Sequence, residues 1–202
     1  MTRTKRLFAG GLAALLGGCS AAPAEPADPP ASGAPPAVGF TADVRVEGQS
    51  VHITYQLTNQ SPDELLVLNR VPAGGKTDPN AVYIVGRSGT HVVEIGKRAF
   101  AMPDTDKVSW AQAFRVGVTK VPPGQSVGEQ LTVPLPLKRN HPYGDDYGDG
   151  AISLPDPVEQ IVFCLGVVRA SEAKGLAADE TVPHLSSTTS VQHLFCSNPI
   201  DL

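Results

Sequence analysis

No stretch of this 202-residue chain is apolar for long enough to cross a bilayer. The longest such run, Leu7 to Leu16, falls well short of the roughly 20 residues that a membrane helix needs. Charged residues make up only 18% of the chain and aromatics 5%, with a single tryptophan. The balance of 16 Lys and Arg against 20 Asp and Glu gives a net charge of −4. It offers no basic excess, which excludes a nucleic-acid surface. Several catalytic signatures are missing too: there is no phosphate loop, dinucleotide fingerprint, H-E-x-x-H or C-x-x-C. What the chain does have is 20 Gly and 19 Pro, residues that interrupt helices, so a mostly helical protein is excluded. With 41% hydrophobic residues it can bury one core.

Arg3, Lys5 and Arg6 precede the Leu7–Leu16 run, which ends in Leu16-Gly17-Gly18-Cys19. A short charged region, a short apolar region and then small residues is the layout of a secretory signal. The segment resembles the lipobox of bacterial lipoproteins. That resemblance implies removal of residues 1–18, acylation of Cys19 and attachment to a membrane through two or more acyl chains, enough for a stable anchor. Ser20 follows where an Asp would signal retention at the inner membrane, so the resemblance implies an outer-membrane lipoprotein facing the periplasm. The shortened chain keeps 13 basic against 20 acidic side chains, so the lipid rather than surface charge must hold it to anionic membranes.

Residues 20–38 contain seven Ala and six Pro, with Glu25 and Asp28 as their only charges. Such a composition forms no core and is expected as a disordered, extended tether over 19–38, reaching up to roughly 60 Å at about 3.1 Å per residue. Residues 39–202 are then expected as the folded domain. Val51, Ile53, Tyr55 and Leu57 alternate with polar neighbours, the period of a half-buried strand. Further strand-like runs are Thr41–Val46, Leu65–Leu68, Val82–Val85, His91–Ile95, Phe114–Val118, Val127–Leu135, Ile161–Val168 and Ser190–Phe195, most of them bounded by turn residues. Ile161–Val168 is apolar on both faces and is expected at the centre of a sheet. Trp110–Phe114 and Ser171–Ala178 are the only stretches with helical character.

About seven to nine short strands predict an all-β, antiparallel two-sheet sandwich. The strand, Asn-containing corner and strand of Val51–Leu68, followed by the Val121–Ser126 turn and Val127–Leu135, resemble an immunoglobulin-like sandwich. The Cys, Trp and Cys pattern of that family is not present. Some bacterial protease inhibitors share this order of elements, which would make Asp104–Trp110 a reactive loop.

With Cys19 acylated, Cys164 and Cys196 remain as an even pair in an exported chain and are expected to form a structural disulfide. In the acidic loop 140–157, Asp145, Asp149, Gly150, Ile152 and Asp156 fall at positions 1, 5, 6, 8 and 12 of an EF-hand-like calcium loop. Tyr147 and the flanking prolines Pro155 and Pro157 depart from that pattern; the simpler reading is a solvated acidic loop. His52 and His91 read as exposed strand residues, whereas His141, His184 and His193 are candidates for a zinc or copper site. Lys97-Arg98 and Lys138-Arg139 read as solvated loop ends, with an anionic-ligand site as the alternative. Tyr143, Tyr147 and Trp110 read as packing against the sandwich edge or as an interaction surface.

Together these features predict a non-enzymatic, lipid-anchored binding or envelope-assembly module without a required cofactor. Its partners would be the membrane, through Cys19, and another envelope protein. A protease inhibitor and a calcium-, zinc- or copper-binding envelope protein are the alternatives.

Overall fold

The computed structural model describes residues 25–26, 28–29, 31–73, 76–111, 114–173, 176–177, 184–186 and 189–202. Cys19 and the lipobox lie outside these residues. The first sheet follows directly from alternation. Strands β1 (Val38–Glu47) and β2 (Ser50–Asn59) pair antiparallel, and β2 pairs in turn with β8 (Ser126–Pro134). Gly48 makes the tight β1–β2 connection with a φ of 59°, the positive value such a turn favours. Val51, Ile53, Tyr55 and Leu57 point inward, and their polar neighbours stay outside.

The second sheet contains β3 (Leu65–Ala73), β4 (Lys76–Asp78), β5 (Tyr83–Gly86), β6 (Val92–Lys97), β7 (Arg115–Val121) and β9 (Gln160–Arg169). The short strands β10 (Leu176–Ala177), β11 (His184–Ser186), β12 (His193–Cys196) and β13 (Ile200–Asp201) complete it. Its main path runs β10-β11-β7-β3-β9-β6-β5, with β12 and β13 on β9 and β4 on β3. The two sheets face each other as an all-β, immunoglobulin-like sandwich. Their interface is filled by Val51, Ile53, Leu57, Leu131, Val133, Val93, Ile95, Ile161, Phe163 and Leu165. Tyr55 and Phe163 stack across it with ring centroids 5.2 Å apart.

As its two apolar faces predict, β9 is buried along both sides. Ile161, Phe163, Leu165 and Val167 face the first sheet, while Val168 joins a second cluster with Leu66, Leu68, Val116 and Val118. That outer cluster is closed by loops carrying Phe100, Tyr143, Tyr147 and Ile152. The outer face of the large sheet is therefore also covered, which makes it the wall of a second layer.

Several expectations are corrected. The sandwich is not wholly antiparallel, because β6 runs parallel to β9; their long connection forms β7 in the same sheet and β8 in the other before returning. The strand total exceeds nine because pieces of two to four residues add to the large sheet. No α-helix occurs among the described residues: Trp110 lies in irregular chain, and Ala170–Glu172 is a turn leading toward β10. The expected Ser190–Phe195 strand is divided into a 3-10 turn at Thr189–Val191 and β12.

Part of the stretch expected as a tether contacts the domain. Ser32 donates to Ser190 O at 2.7 Å from its backbone nitrogen and 2.9 Å from its hydroxyl, and Arg169 donates to Ala34 O at 2.9 Å. An extended, proline-rich segment makes few hydrogen bonds within itself, which leaves its carbonyls and carboxylates available to the domain.

Candidate functional site

Two clusters of largely buried charged side chains stand out among the described residues. In the first, Lys97 at the end of β6 is 0% exposed. Its Nζ donates to Glu129 Oε2 at 2.6 Å, to Asn69 O at 3.3 Å and to Pro79 O. The Tyr55 hydroxyl donates to Glu129 Oε2 at 2.6 Å, and Arg70 and Asn69 donate to Oε1. Burial lowers the Lys97 ammonium below its ordinary range. Burial alone would raise Glu129, but Lys97, Tyr55 and Arg70 together hold it below the usual carboxylate range. Because β8 supplies the acid and β3 and β6 supply the cations, this network ties the two sheets together. Its acceptors and donors are spent on one another, so it reads as structural.

The second cluster lies at the edge of the covered outer face. Arg98 follows β6 and is 6% exposed. Its Nε donates to Glu94 Oε1 at 2.6 Å, its Nη1 pairs with Asp28, and its guanidinium lies 3.6 Å over the Phe100 ring. Asp28 Oδ1 also accepts from the Ala101 backbone at 2.8 Å. Arg139 grips Glu25 in bidentate fashion, with Nε at 3.0 Å and Nη2 at 2.8 and 2.9 Å from the carboxylate oxygens. Its side chain is only 5% exposed. A planar guanidinium meeting a carboxylate edge to edge is the strong, orientation-selective form of this contact.

Aromatic rings wall the cleft. Phe100 meets His141 edge-on at 4.6 Å, and Trp110 meets Tyr143 and Tyr147 at 5.5 and 5.9 Å. The Tyr147 hydroxyl lies 3.0 Å from Arg139 Nη2 and 2.5 Å from His141 Nδ1. Nδ1 also accepts the Tyr143 backbone N–H at 3.3 Å, so it carries no proton, and Tyr147 must donate to it. A cavity of 270 Å³ continues from the cleft between Pro26, Asp28, Gly86, Arg87 and Glu94. A larger groove of 790 Å³ on the first sheet is an open surface with no arginine in its lining.

This geometry makes His141 a neutral group. Burial first, then the nearby charges of Arg139 and Arg98, pull its pKa from the ordinary 6.5 to about 3. In the unfolded chain the residue titrates near 6.5, so the folded state binds fewer protons throughout the interval between. Stability should therefore fall as pH drops from 6.5 toward 3, by up to about 1.4 kcal/mol per pH unit. Chemical denaturation from pH 7 to 4.5 should show a steep loss in the wild type and a shallower one in His141→Asn. Parallel slopes would show that His141 does not control it. Glu25 behaves in the opposite sense, since burial raises its carboxyl even against Arg139.

The residues singled out in the sequence are placed as follows. Cys164 and Cys196 form the expected disulfide, directly opposed on β9 and β12. Of the calcium-loop candidates Asp145, Asp149 and Asp156, the first two meet different basic side chains. Asp145 accepts from Arg139 at 2.5 Å, Asp149 pairs with Lys107, and Asp146 accepts the Gly148 and Gly150 backbone N–H groups. Among the described residues, no three His, Cys, Asp or Glu side chains are grouped to hold a metal ion. His141 belongs to the cleft, His193 is buried on β12, and the His184 side chain lies outside the described residues. His52 and His91 are exposed strand-region residues, as expected.

Of the basic pairs, Lys138 alone is the solvated residue expected; Lys97, Arg98 and the Arg139 side chain are buried by partners distant in sequence. Tyr143 and Tyr147 pack as the cleft wall. The candidate inhibitory loop is tied down at its base by Thr105 donating to Tyr147 O at 3.2 Å, while Asp104, Asp106 and Ser109 remain exposed. Glu25, Asp28 and Glu94 were not singled out as site residues. The one local sign was that Glu25 and Asp28 are the only charges in an otherwise apolar, proline-rich stretch. Comparison with protein-family models, with characterised proteins and with solved structures yields no match.

Proposed function

We propose that this chain is a lipid-anchored protein of the bacterial cell envelope whose sandwich is a non-enzymatic module that binds extended acidic segments. Acyl chains on Cys19 would hold it at the outer membrane, and the Arg98–Arg139 cleft would recognise a partner's carboxylates. The observation that carries the binding half is that both arginines are occupied by carboxylates from outside the sandwich, Asp28 and Glu25. These two acids lie three positions apart in a proline-rich sequence and meet a pair of guanidinium groups carried by the sandwich. An acidic segment of an envelope protein with the same spacing would satisfy the same donors. The anchoring half rests on the charged start, short apolar run and Leu16–Cys19 box.

Each half has its own test. In cells fed labelled palmitate, the wild type should carry label and fractionate with outer membranes, whereas Cys19→Ala should carry none and become soluble. Label on the Cys19→Ala chain would reject the anchor. For recognition, the double change Glu25→Gln with Asp28→Asn frees the arginines and should increase recovery of a crosslinked envelope partner. Arg98→Gln with Arg139→Gln should abolish that recovery. Equal recovery by the two double variants would reject the cleft as the binding site.

A further inference from the structure

The disulfide has an unusual neighbour. Arg87, just beyond β5, places Nη2 3.1 Å from Cys164 Sγ and 3.6 Å from Cys196 Sγ. Glu94 Oε2 holds that guanidinium in place through Nη2 at 3.2 Å and Nε at 3.3 Å. A neutral disulfide is a weak acceptor and offers a guanidinium little. A thiolate at the same spot would gain a charge-assisted hydrogen bond from a donor already aimed at it. Arg87 is therefore matched to the opened bridge better than to the closed one.

Burial fixes which sulfur can be reached. Cys164 lies in the middle of β9 and is 0% exposed, while Cys196 ends β12 and is exposed. Thiol–disulfide exchange requires a thiolate to approach one sulfur and expel the other, so access decides the attacked atom. An incoming thiolate can reach Cys196 from solvent, whereas the packed sheet shields Cys164. The leaving atom is then Cys164 Sγ, the sulfur closer to Arg87.

We propose that Cys164–Cys196 is a thiol–disulfide exchange site, with Cys196 as the attacked sulfur, Cys164 as the leaving thiolate and Arg87 stabilising that thiolate. Its substrates are thiols, either small molecules or a cysteine of another protein. The thiolate's electron pair forms a bond to Cys196 Sγ, and the pair of the Cys164–Cys196 bond passes to Cys164 Sγ. A second thiolate attacks the substrate sulfur of the mixed disulfide and releases Cys196 as a thiolate. The two cysteine thiolates take up the two protons the substrate thiols gave up. Two thiols are thereby oxidised to one disulfide as the bridge is reduced to two thiols.

The test uses the full chain with glutathione at neutral pH, alkylation of quenched samples and mass spectrometry. The wild type should open without global unfolding, pass through a glutathione adduct on Cys196 and react about tenfold faster than Arg87→Gln, with Arg87→Lys between them. Melting of the oxidised forms gives the structural cost of losing the Arg87–Glu94 pair, and the rate difference should persist when the two forms are compared at equal distance below their melting temperatures, which separates a chemical role from a structural one. Three results would each overturn the proposal: an adduct on Cys164, equal rates for wild type and Arg87→Gln, or wild-type reduction no faster than global unfolding. The adduct position is read on the wild type and so does not depend on any variant folding.

Discussion

Glu129→Ala should lower folding stability by about 3–5 kcal/mol, the range for removing one partner of a buried ion pair. The loss comes from what is left behind. Lys97 is fully buried, and its remaining contacts are the Asn69 and Pro79 carbonyls, which cannot neutralise it. Tyr55 and Arg70 lose the same acceptor. Lys97→Met combined with Glu129→Ala should recover most of the loss, because the second change removes the stranded charge.

The pH dependence follows the same logic. In Glu129→Ala the folded state favours a neutral Lys97, with its pKa further below the unfolded value than in the wild type. The unfolded chain then binds the extra proton, so the variant should gain stability relative to wild type as pH rises from 7 to 10. Urea titrations of the three chains at both pH values give the comparison. A Glu129→Ala loss below 1 kcal/mol, or no rescue by Lys97→Met, would mean that the network does not hold the sheets together.

Replacing both bridge cysteines by alanine should cost about 3–4 kcal/mol in the chain-entropy account of a cross-link, given a sequence separation of 32 residues. Cys164↔Cys196 is one of the register pairs that hold β12 on β9. The bridge therefore fastens a four-residue strand that contributes few apolar side chains of its own. Phe195 packs from that strand against the core, with its ring 6.2 Å from Phe40, and it should loosen with the strand. Amide exchange in Leu194–Cys196 should accelerate more than in β2, which the bridge does not touch. A loss under 1 kcal/mol with unchanged exchange would show that backbone pairing alone retains the C-terminal strands.

Local pattern carried the strands and their faces. β2 shows strict alternation and buries alternate residues; β9 is apolar on both sides and is covered on both sides. The cysteine pairing was legible because setting aside the expected acylated Cys19 left only two. The parallel match of β6 with β9 was not legible, since nothing within either strand states the direction of a neighbour contributed by a long connection. Lys97-Arg98 misled for a related reason. A basic pair at a strand end is usually solvated, and its burial depends on Glu129 and Asp28, both far away in sequence. The cleft brings together Glu25, Asp28 and residues 94–100, 110 and 139–147, a convergence that only the fold can produce. The acidic loop had the spacing of calcium ligands, but that spacing does not reveal that Arg139 and Lys107 take two of the carboxylates.

The central claim is that the Arg98–Arg139 cleft recognises paired carboxylates on an extended segment. Its most direct measurement is an NMR titration of the full chain carrying Glu25→Gln and Asp28→Asn with a peptide of residues 20–32. Shifts should be followed at the Trp110 indole and the amides of residues 98–101 and 139–147. Binding should be saturable, weaken with salt, and be at least tenfold weaker to the wild type, whose own segment competes at high effective concentration. No saturable shift up to millimolar peptide would contradict it, as would equal binding of a peptide with Gln and Asn in place of the two acids.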